Sequence, residues 1–404
     1  MSKQLSQSDI KSQDLQPVIS LSLLLPMLAS IIAISPLAID MYLPAMPILA
    51  EQFSTDMPMI QNSLSIYLLG YALGLLFFGP LADKYRRRRL VILGISGFTL
   101  ISFALPFVDS IEQFLSLRFV QAFISSAATV VVPGTIKERY GKNTAKGFSY
   151  VSMIMMVAPM IAPSIGSVLL LHSWQAIFIA LGLYSLAVLA LAYKYLPESK
   201  RANESKGVSF LSRYKVVLSH QKARLDLMTS MMISLAFFAY ITAIPFVFLT
   251  VFKVSEFEFS FLFAITVVAL MIAHFTNTRL VVKKGSRKML SYGLMVGLIS
   301  STCLVVVNFW QLPLAYTVIA VLPLMGSLSM VAVNADSLVL LSFTHESGTA
   351  TAVIGTLRFG IGALAGPILA YFYDGSALPF ALLMWCSVII VLLCQLPHWI
   401  TRKS

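Results

Sequence analysis

Twice in this chain, 47 consecutive residues pass without a charged side chain, at 147–193 and again at 289–335. A soluble domain seldom runs so far without a charge, because roughly 25% of its residues are charged and cover its surface. Here 11% of the 404 residues are charged and 58% are hydrophobic. At 1.5 Å rise per residue, about 20 mainly apolar residues cross the hydrocarbon layer of a bilayer as a helix. Each 47-residue run therefore holds two crossings. The first turns around His172-Ser173-Trp174, the second near Asn308-Phe309-Trp310-Gln311-Leu312-Pro313. Further apolar runs at about 18–40, 57–82, 90–108, 113–133, 227–250, 259–279, 347–372 and 376–397 bring the count to twelve. Strands of a membrane β-barrel would instead show as short alternating segments. In lipid, an isolated apolar run satisfies its backbone only as a helix. The expectation is an all-α integral membrane protein.

The first run is not a cleavable signal. Asp40 and Pro44 follow it in place of a small-residue cleavage pattern, and many more spans come after it. The net charge of +12 raises the question of nucleic acid, and its placement answers against that. Lys84 and Arg86-Arg87-Arg88-Arg89 lie between spans two and three. Lys137, Arg139, Lys142 and Lys146 lie between four and five. The link from Lys194 to Arg224 carries eight basic residues, and Lys283, Lys284, Arg287 and Lys288 follow span eight. Of basic residues the alternate loops carry only Lys253. This is the positive-inside pattern, which places both termini in the cytoplasm. The charge is a topology determinant, and the expected partners are membrane lipids, with no nucleic acid.

The longest polar interruption separates spans six and seven. It divides the chain into a cytoplasmic N-terminal tail at 1–17, a six-helix bundle at 18–196, a cytoplasmic linker at 197–225, a second six-helix bundle at 226–397 and a cytoplasmic tail at 398–404. Two bundles of equal span number suit a transporter with a site between them. The other reading is an ordinary loop in a protein whose halves do not move. The cysteines Cys303, Cys386 and Cys394 have no metal-ligand spacing and imply no disulfide framework. His172, His220, His274, His345 and His398 are dispersed, with no convergent reactive group, so an enzyme is disfavoured. No Walker loop is present, which disfavours direct use of ATP. No cofactor or metal is expected.

Charges within spans are costly and usually face protein or a watery cavity. Asp40 lies in or near the outer part of span one, and Arg118 toward the outer side of span four. The two could share one cavity of the first bundle. Arg118 then balances an anionic Asp40, and proton binding becomes linked to conformation. Alternatively, Asp40 caps or anchors the end of the first span. Arg358 lies near mid-membrane in span eleven and stays protonated, so it needs a carboxylate, carbonyls, water or an anionic substrate group. A role in the transport pathway and a role in holding helices together both remain open. Asp336 lies near the inner end of span ten with Asn334 as a possible polar neighbour, and Asp226 begins span seven. Either acid could form a gate contact between bundles, while helix-end solvation is the simpler reading of Asp226.

Asp83 closes span two ahead of the basic cluster, where it could bind a positive charge or a helix N-terminus and stabilise one gate state. Gly70-x-x-x-Gly74 and Gly362-x-x-x-Gly366 allow close helix approach. Pro159 and Pro163, with Gly166 nearby, are expected to bend span five at the junction of the bundles. Phe77, Phe78, Tyr150, Phe237, Phe238, Tyr240 and Phe246 are candidates for an apolar cavity lining.

These residues carry a family resemblance. Gly79-Pro80-Leu81-Ala82-Asp83-Lys84-Tyr85-Arg86-Arg87-Arg88 resembles the loop signature of the major facilitator superfamily, with Asp83 at the acidic position and Arg87 and Arg88 at the final basic ones. Arg86 stands where glycine is usual. Leu117-Arg118-Phe119-Val120-Gln121 resembles the fourth-helix pattern, with Ala122 in place of glycine. Ala158-Pro159-Met160-Ile161-Ala162-Pro163-Ser164-Ile165-Gly166 resembles the fifth-helix antiporter motif, with Pro163 and Gly166 matching best. Ala38-Ile39-Asp40-Met41-Tyr42-Leu43-Pro44-Ala45 and Gly355-Thr356-Leu357-Arg358-Phe359-Gly360-Ile361-Gly362-Ala363 resemble the bicyclomycin and chloramphenicol (Bcr/CflA) resistance transporters.

The resemblance spans essentially all helices. It implies the major facilitator fold, twelve helices in two six-helix bundles, in a bacterial inner membrane and functional as a monomer. It implies proton-driven export of small drug-like amphipathic substrates, with protons as the coupling ion and Asp40, with Arg118, in proton coupling. Asp83, Arg87 and Arg88 become a cytoplasmic gate. A metabolite exporter or importer of the same fold is the alternative, and a channel or a membrane enzyme the more distant ones.

Overall fold

A computed structural model describes residues 21–140, 144–197, 215, 217–220, 223–343 and 347–400. The N-terminal tail at 1–17 and most of the linker at 197–225 therefore lie outside the described residues, as do residues 401–404 of the C-terminal tail. The described residues form helices and turns, with no strand among them. Twelve long helices follow one another: α1 Leu21–Asp40, α2 Met57–Lys84, α3 Arg87–Ala104, α4 Ile111–Thr129, α5 Thr144–Leu170, α6 Trp174–Tyr195, α7 Arg224–Pro245, α8 Glu256–Lys284, α9 Ser286–Phe309, α10 Leu314–Leu341, α11 Ser347–Gly362 and α12 Leu378–Ile400. Eleven helical stretches are long and apolar enough to cross a membrane, and α5 adds the shorter apolar stretch Met155–Leu170. The protein crosses the bilayer many times as helices.

Local chemistry starts and stops these helices. At the pole away from the basic loops, Asp56, Ser110 and Ser173 accept hydrogen bonds from the backbone N–H three residues on and so cap α2, α4 and α6. Ser255 and Glu258 form a reciprocal capping box at the start of α8. At the basic pole, Gly285 alone separates α8 from α9 with φ of 78°. A side chain there would be strained by the backbone.

Two spans are longer than their charge-free runs suggested. After Asp40 the chain makes a short turn, then a 3₁₀ turn at Leu43–Ala45 and a helix at Met46–Gln52. The apolar passage thus runs Leu24–Gln52. Pro44 and Pro47 break regularity without ending the passage, since proline suits the first turn of a new helical segment. Likewise α4 is prolonged by the helix Val132–Tyr140, whereas α11, continued by Ala365–Tyr371 after a turn at Ala363-Leu364, keeps to its expected run.

The helices pack as two bundles. In the first, α2 packs on α4, α3 on α4 and α6, and α1 on α5 and α6. In the second, α9 packs on α10 and α12, while α7 touches α10, α11 and α12. A Cβ on Gly70 or Gly74 would collide with the Phe119 carbonyl or with Ser126 and the Phe123 carbonyl. This spacing therefore brings α2 against α4, as backbones without side chains between them can approach closely. Gly362 meets Phe238 of α7, and Gly366 meets Ser65 and Asn62 of α2.

The bundles meet along two main seams, α2 with α11 and α5 with α8. Away from the basic pole these seams are hydrogen-bonded. The Gly366 N–H donates to Ser65 Oγ at 2.9 Å. Ser167 Oγ donates to the Glu256 carbonyl at 2.9 Å and shares a hydrogen bond of 2.8 Å with Ser260 Oγ.

Candidate functional site

Between the bundles lies an open cavity of about 530 Å³. Its walls are chiefly apolar and aromatic, contributed by α1, α2 and α5 on one side and α7, α8, α10 and α11 on the other. Phe237, Phe238 and Tyr240 line it as anticipated. Phe77, Phe78 and Phe246 do not; Phe77 is more than half exposed and meets Phe78 edge-on, with Phe123 tilted beside it. The Tyr150 side chain lies outside the described residues.

Tyr71, Phe263 and Phe359, with Met155, Met156, Met271 and Met325, also line the cavity and were not singled out from sequence. The Tyr71 ring lies 4.6 Å from Phe359, which lies 5.5 Å from Phe238, so an aromatic row bridges the two bundles. Methionine and aromatic walls adapt to varied apolar shapes.

Three charged side chains line the cavity among its described residues: Asp40, Asp336 and Arg358. Asp40 is 3% exposed, at the turn where α1 ends, deep in the apolar passage instead of at its mouth. Its Oδ1 has no hydrogen-bond partner among the described residues. The hydroxyl of Tyr240, another lining residue, also lacks one.

Arg118 does not line the cavity, and no ion pair joins it to Asp40. That corrects the expectation of a shared cavity. Arg118 is fully buried inside the first bundle. Its Nη1 donates to Gln121 Oε1 at 2.8 Å and its Nη2 to the Ala38 carbonyl at 3.0 Å. Gln121 Nε2 in turn donates to Ser102 Oγ at 2.8 Å. The guanidinium carbon lies 4.3 Å from the ring centre of Tyr67 and 4.5 Å from that of Tyr42. Each desolvated cation–π contact contributes about 2 kcal/mol. Aromatic faces and a carbonyl thus stand where a carboxylate was expected.

Arg358 is held differently. Its Nη1 donates to Asp336 Oδ2 at 2.9 Å and its Nε to Ser234 Oγ at 3.0 Å. Ser230 Oγ donates to the other oxygen of Asp336. The network ties α7, α10 and α11 within the second bundle, so Asp336 makes no gate contact between bundles. Asn334 turns away from Asp336 and donates to Asn277 Oδ1 on α8 at 2.7 Å. Facing α8 instead of the cavity, it is a buried helix-packing residue.

Asp226 is not solvated at its helix end, as the simpler reading had it. It is buried and takes both terminal nitrogens of Arg287, at 2.6 and 2.8 Å, with Gln395 completing the cluster. This pair also stays within the second bundle.

At the basic pole, Arg87 pairs with Glu138 at 2.7 Å, while Arg88 donates to the Tyr193 carbonyl. Both contacts stay inside the first bundle. The Asp83 side chain lies outside the described residues. On α5, Pro159 lines the cavity and Pro163 is buried. A Cβ on Gly166 would collide with the Met41 carbonyl just after Asp40. The three therefore lie where α5 meets α1 on one side and α8 on the other.

The model of the Major Facilitator Superfamily matches residues 28–398. The chain is 29% identical over 379 residues to a bicyclomycin resistance protein homolog of Haemophilus influenzae, covering 91% of this chain and 94% of that one. It is 30% identical to a chloramphenicol resistance protein of Pseudomonas aeruginosa, covering 83% of each. Among solved structures, the E. coli xylose transporter XylE, in a partially occluded inward-open conformation, superposes with a TM-score of 0.71. That match covers 93% of this chain and 96% of that one at 14% identity, a likeness of fold.

Proposed function

The chain belongs to the major facilitator superfamily, and on that premise we propose that it exports drug-like amphipathic compounds across a bacterial inner membrane in exchange for protons. It is a transporter of small organic solutes and not an enzyme. The observation that carries the finer reading is Asp40: a buried carboxyl, free of any ion pair, facing a wide aromatic cavity between two bundles. A carboxyl that no arginine holds can gain and lose a proton as its surroundings change between states. The resistance proteins to which the chain is similar support a drug as cargo.

In this reading the basic pole and both termini are cytoplasmic, following the positive-inside bias. The cavity reaches from Asp40 toward Leu340 and Thr351 near that pole, and its lining grows more exposed in that direction. The Ser65 and Ser167 hydrogen bonds hold the opposite side closed. Substrate enters from the cytoplasm, a proton reaches Asp40 from the other side, and the bundles rock between the two openings. The transporter works as a monomer, uses protons as its coupling ion and needs no cofactor.

The alternative is a proton-coupled metabolite exporter or importer of the same fold. The Arg358–Asp336 pair in the cavity favours it, since a charged lining suits polar solutes as well as apolar drugs. Flux in reconstituted vesicles under opposed drug and proton gradients separates the two. Chemically diverse amphipaths should exchange for protons. Asp40→Asn should lower that exchange to the level of protein-free vesicles while the purified protein still folds and binds substrate. Normal proton-coupled flux in the variant sinks the role of Asp40, and strict selectivity for one polar solute sinks drug export.

A further inference from the structure

Arg358 is the sole cation lining the cavity among the described residues, and its hydrogen bonding is incomplete. Nε and Nη1 are taken by Ser234 and Asp336, whereas Nη2 has no hydrogen-bond partner among the described residues. The side chain remains 36% accessible and that of Asp336 21%. Ser230, by donating to Asp336, fixes the carboxylate and through it the plane of the guanidinium. The open edge of a planar five-donor fork is therefore presented in one orientation before any substrate arrives.

Its surroundings strengthen what it binds. Phe237, Phe238, Phe359, Leu340 and Ile354 share the cavity lining with it, and apolar walls strengthen a charge-assisted hydrogen bond formed against them. Asp40, the unpaired acid, lies deeper in the same cavity. The cavity is thus polarised along its length, with a carboxyl in its depth and a guanidinium nearer the basic pole.

We propose that Arg358 is a recognition site for an anionic oxygen group of the substrate, and that the chain's cargo includes aromatic amphipaths carrying a carboxylate. Asp336 is its positioning residue: it holds the guanidinium in place while leaving one edge open. This assigns a substrate class to the cavity of the export reading and rests on that reading.

Rhodamine 110 carries a free carboxyl group, and its methyl ester is the same dye without that charge. Binding of each to the purified full-length protein is read by fluorescence anisotropy. Wild type should bind the acid about ten-fold or more tighter than the ester, the scale of one charge-assisted contact. The double variant Arg358→Gln/Asp336→Asn removes both members of the pair, so Asp336 is not left as a carboxylate without its arginine. It should bind both dyes alike, with ester affinity within about two-fold of wild type.

Arg358→Lys, which keeps the charge, should retain part of the preference for the acid. Equal affinities in wild type, or a preference that survives in the double variant, overturn the subsite and leave the export reading standing. If the double variant loses ester binding as well, Arg358→Lys decides: a retained preference upholds the subsite and a lost one overturns it. Binding of neither dye by wild type overturns both.

Discussion

Arg118 and Arg358 both stand in the middle of apolar helices, and the two bundles solve the same electrostatic problem in opposite ways. The first bundle surrounds its arginine with the faces of Tyr42 and Tyr67, a backbone carbonyl and Gln121, and leaves its acid, Asp40, without a countercharge. The second pairs each of two arginines with an aspartate, Arg358 with Asp336 and Arg287 with Asp226. An acid in an ion pair has its charge balanced where it stands, whereas one left alone has no fixed countercharge. The contrast suits a division of labour in which one bundle senses protons and the other presents a fixed charge to cargo.

Substitutions at four places test how deep this contrast goes. The largest effect belongs to the second bundle. Asp226→Ala takes the buried carboxylate away from the partly exposed Arg287 and should lower stability by about 3 kcal/mol or slightly more, the low end for a buried pair. Thermal unfolding in detergent measures this, and Asp226→Leu with Arg287→Met should recover most of the loss. Arg118→Leu in the first bundle should cost about 3 kcal/mol, since Gln121 and the Ala38 carbonyl lose their donor. Arg118→Lys should not restore it, because an ammonium cannot span two acceptors and lie flat on two rings. A lysine variant as stable as wild type would collapse the contrast between the bundles.

Gly166→Ala comes next. The added methyl meets the Met41 carbonyl, so α1 and α5 must part at a cost of about 2 kcal/mol. The same unfolding assay checks it, and proton-coupled flux should fall because Asp40 lies beside that contact. The smallest effect is expected for Ser167→Ala, which removes hydrogen bonds between bundles worth about 1 kcal/mol. Spin labels across that pole should report a larger share of separated bundles. An unchanged distance distribution would mean that the seam is held by packing alone.

The spans were legible because a run of apolar residues carries its length in plain view. The path beyond Asp40 was not, since Pro44 and Pro47 look like an ending and here start new helical turns. Arg118 and Asp40 were readable as buried charges from their apolar flanks. The partners of Arg118 were not: Tyr42, Tyr67 and Phe178 come from α1's extension, α2 and α6, and no local spacing links them. Asp226 was misread for the same reason, as Arg287 lies 61 positions away. The cavity wall was half legible: aromatics on α7 stood out, while Tyr71, Phe263 and the methionines resembled any lipid-facing residue.

The single glycine between α8 and α9 has a mechanical consequence. With one residue of chain between them, α8 can tilt at its basic-pole end but cannot slide along α9. Its 29 residues make a lever about 43 Å long. A tilt of about 10° about Gly285 would carry the far end, where Ser260 meets Ser167, through roughly 7 Å. Phe263, Thr266, Val267, Leu270 and Met271, all on the cavity wall, ride on the same arm at decreasing radius. Residues nearest the seam would sweep farthest, and those near the pivot would hardly move.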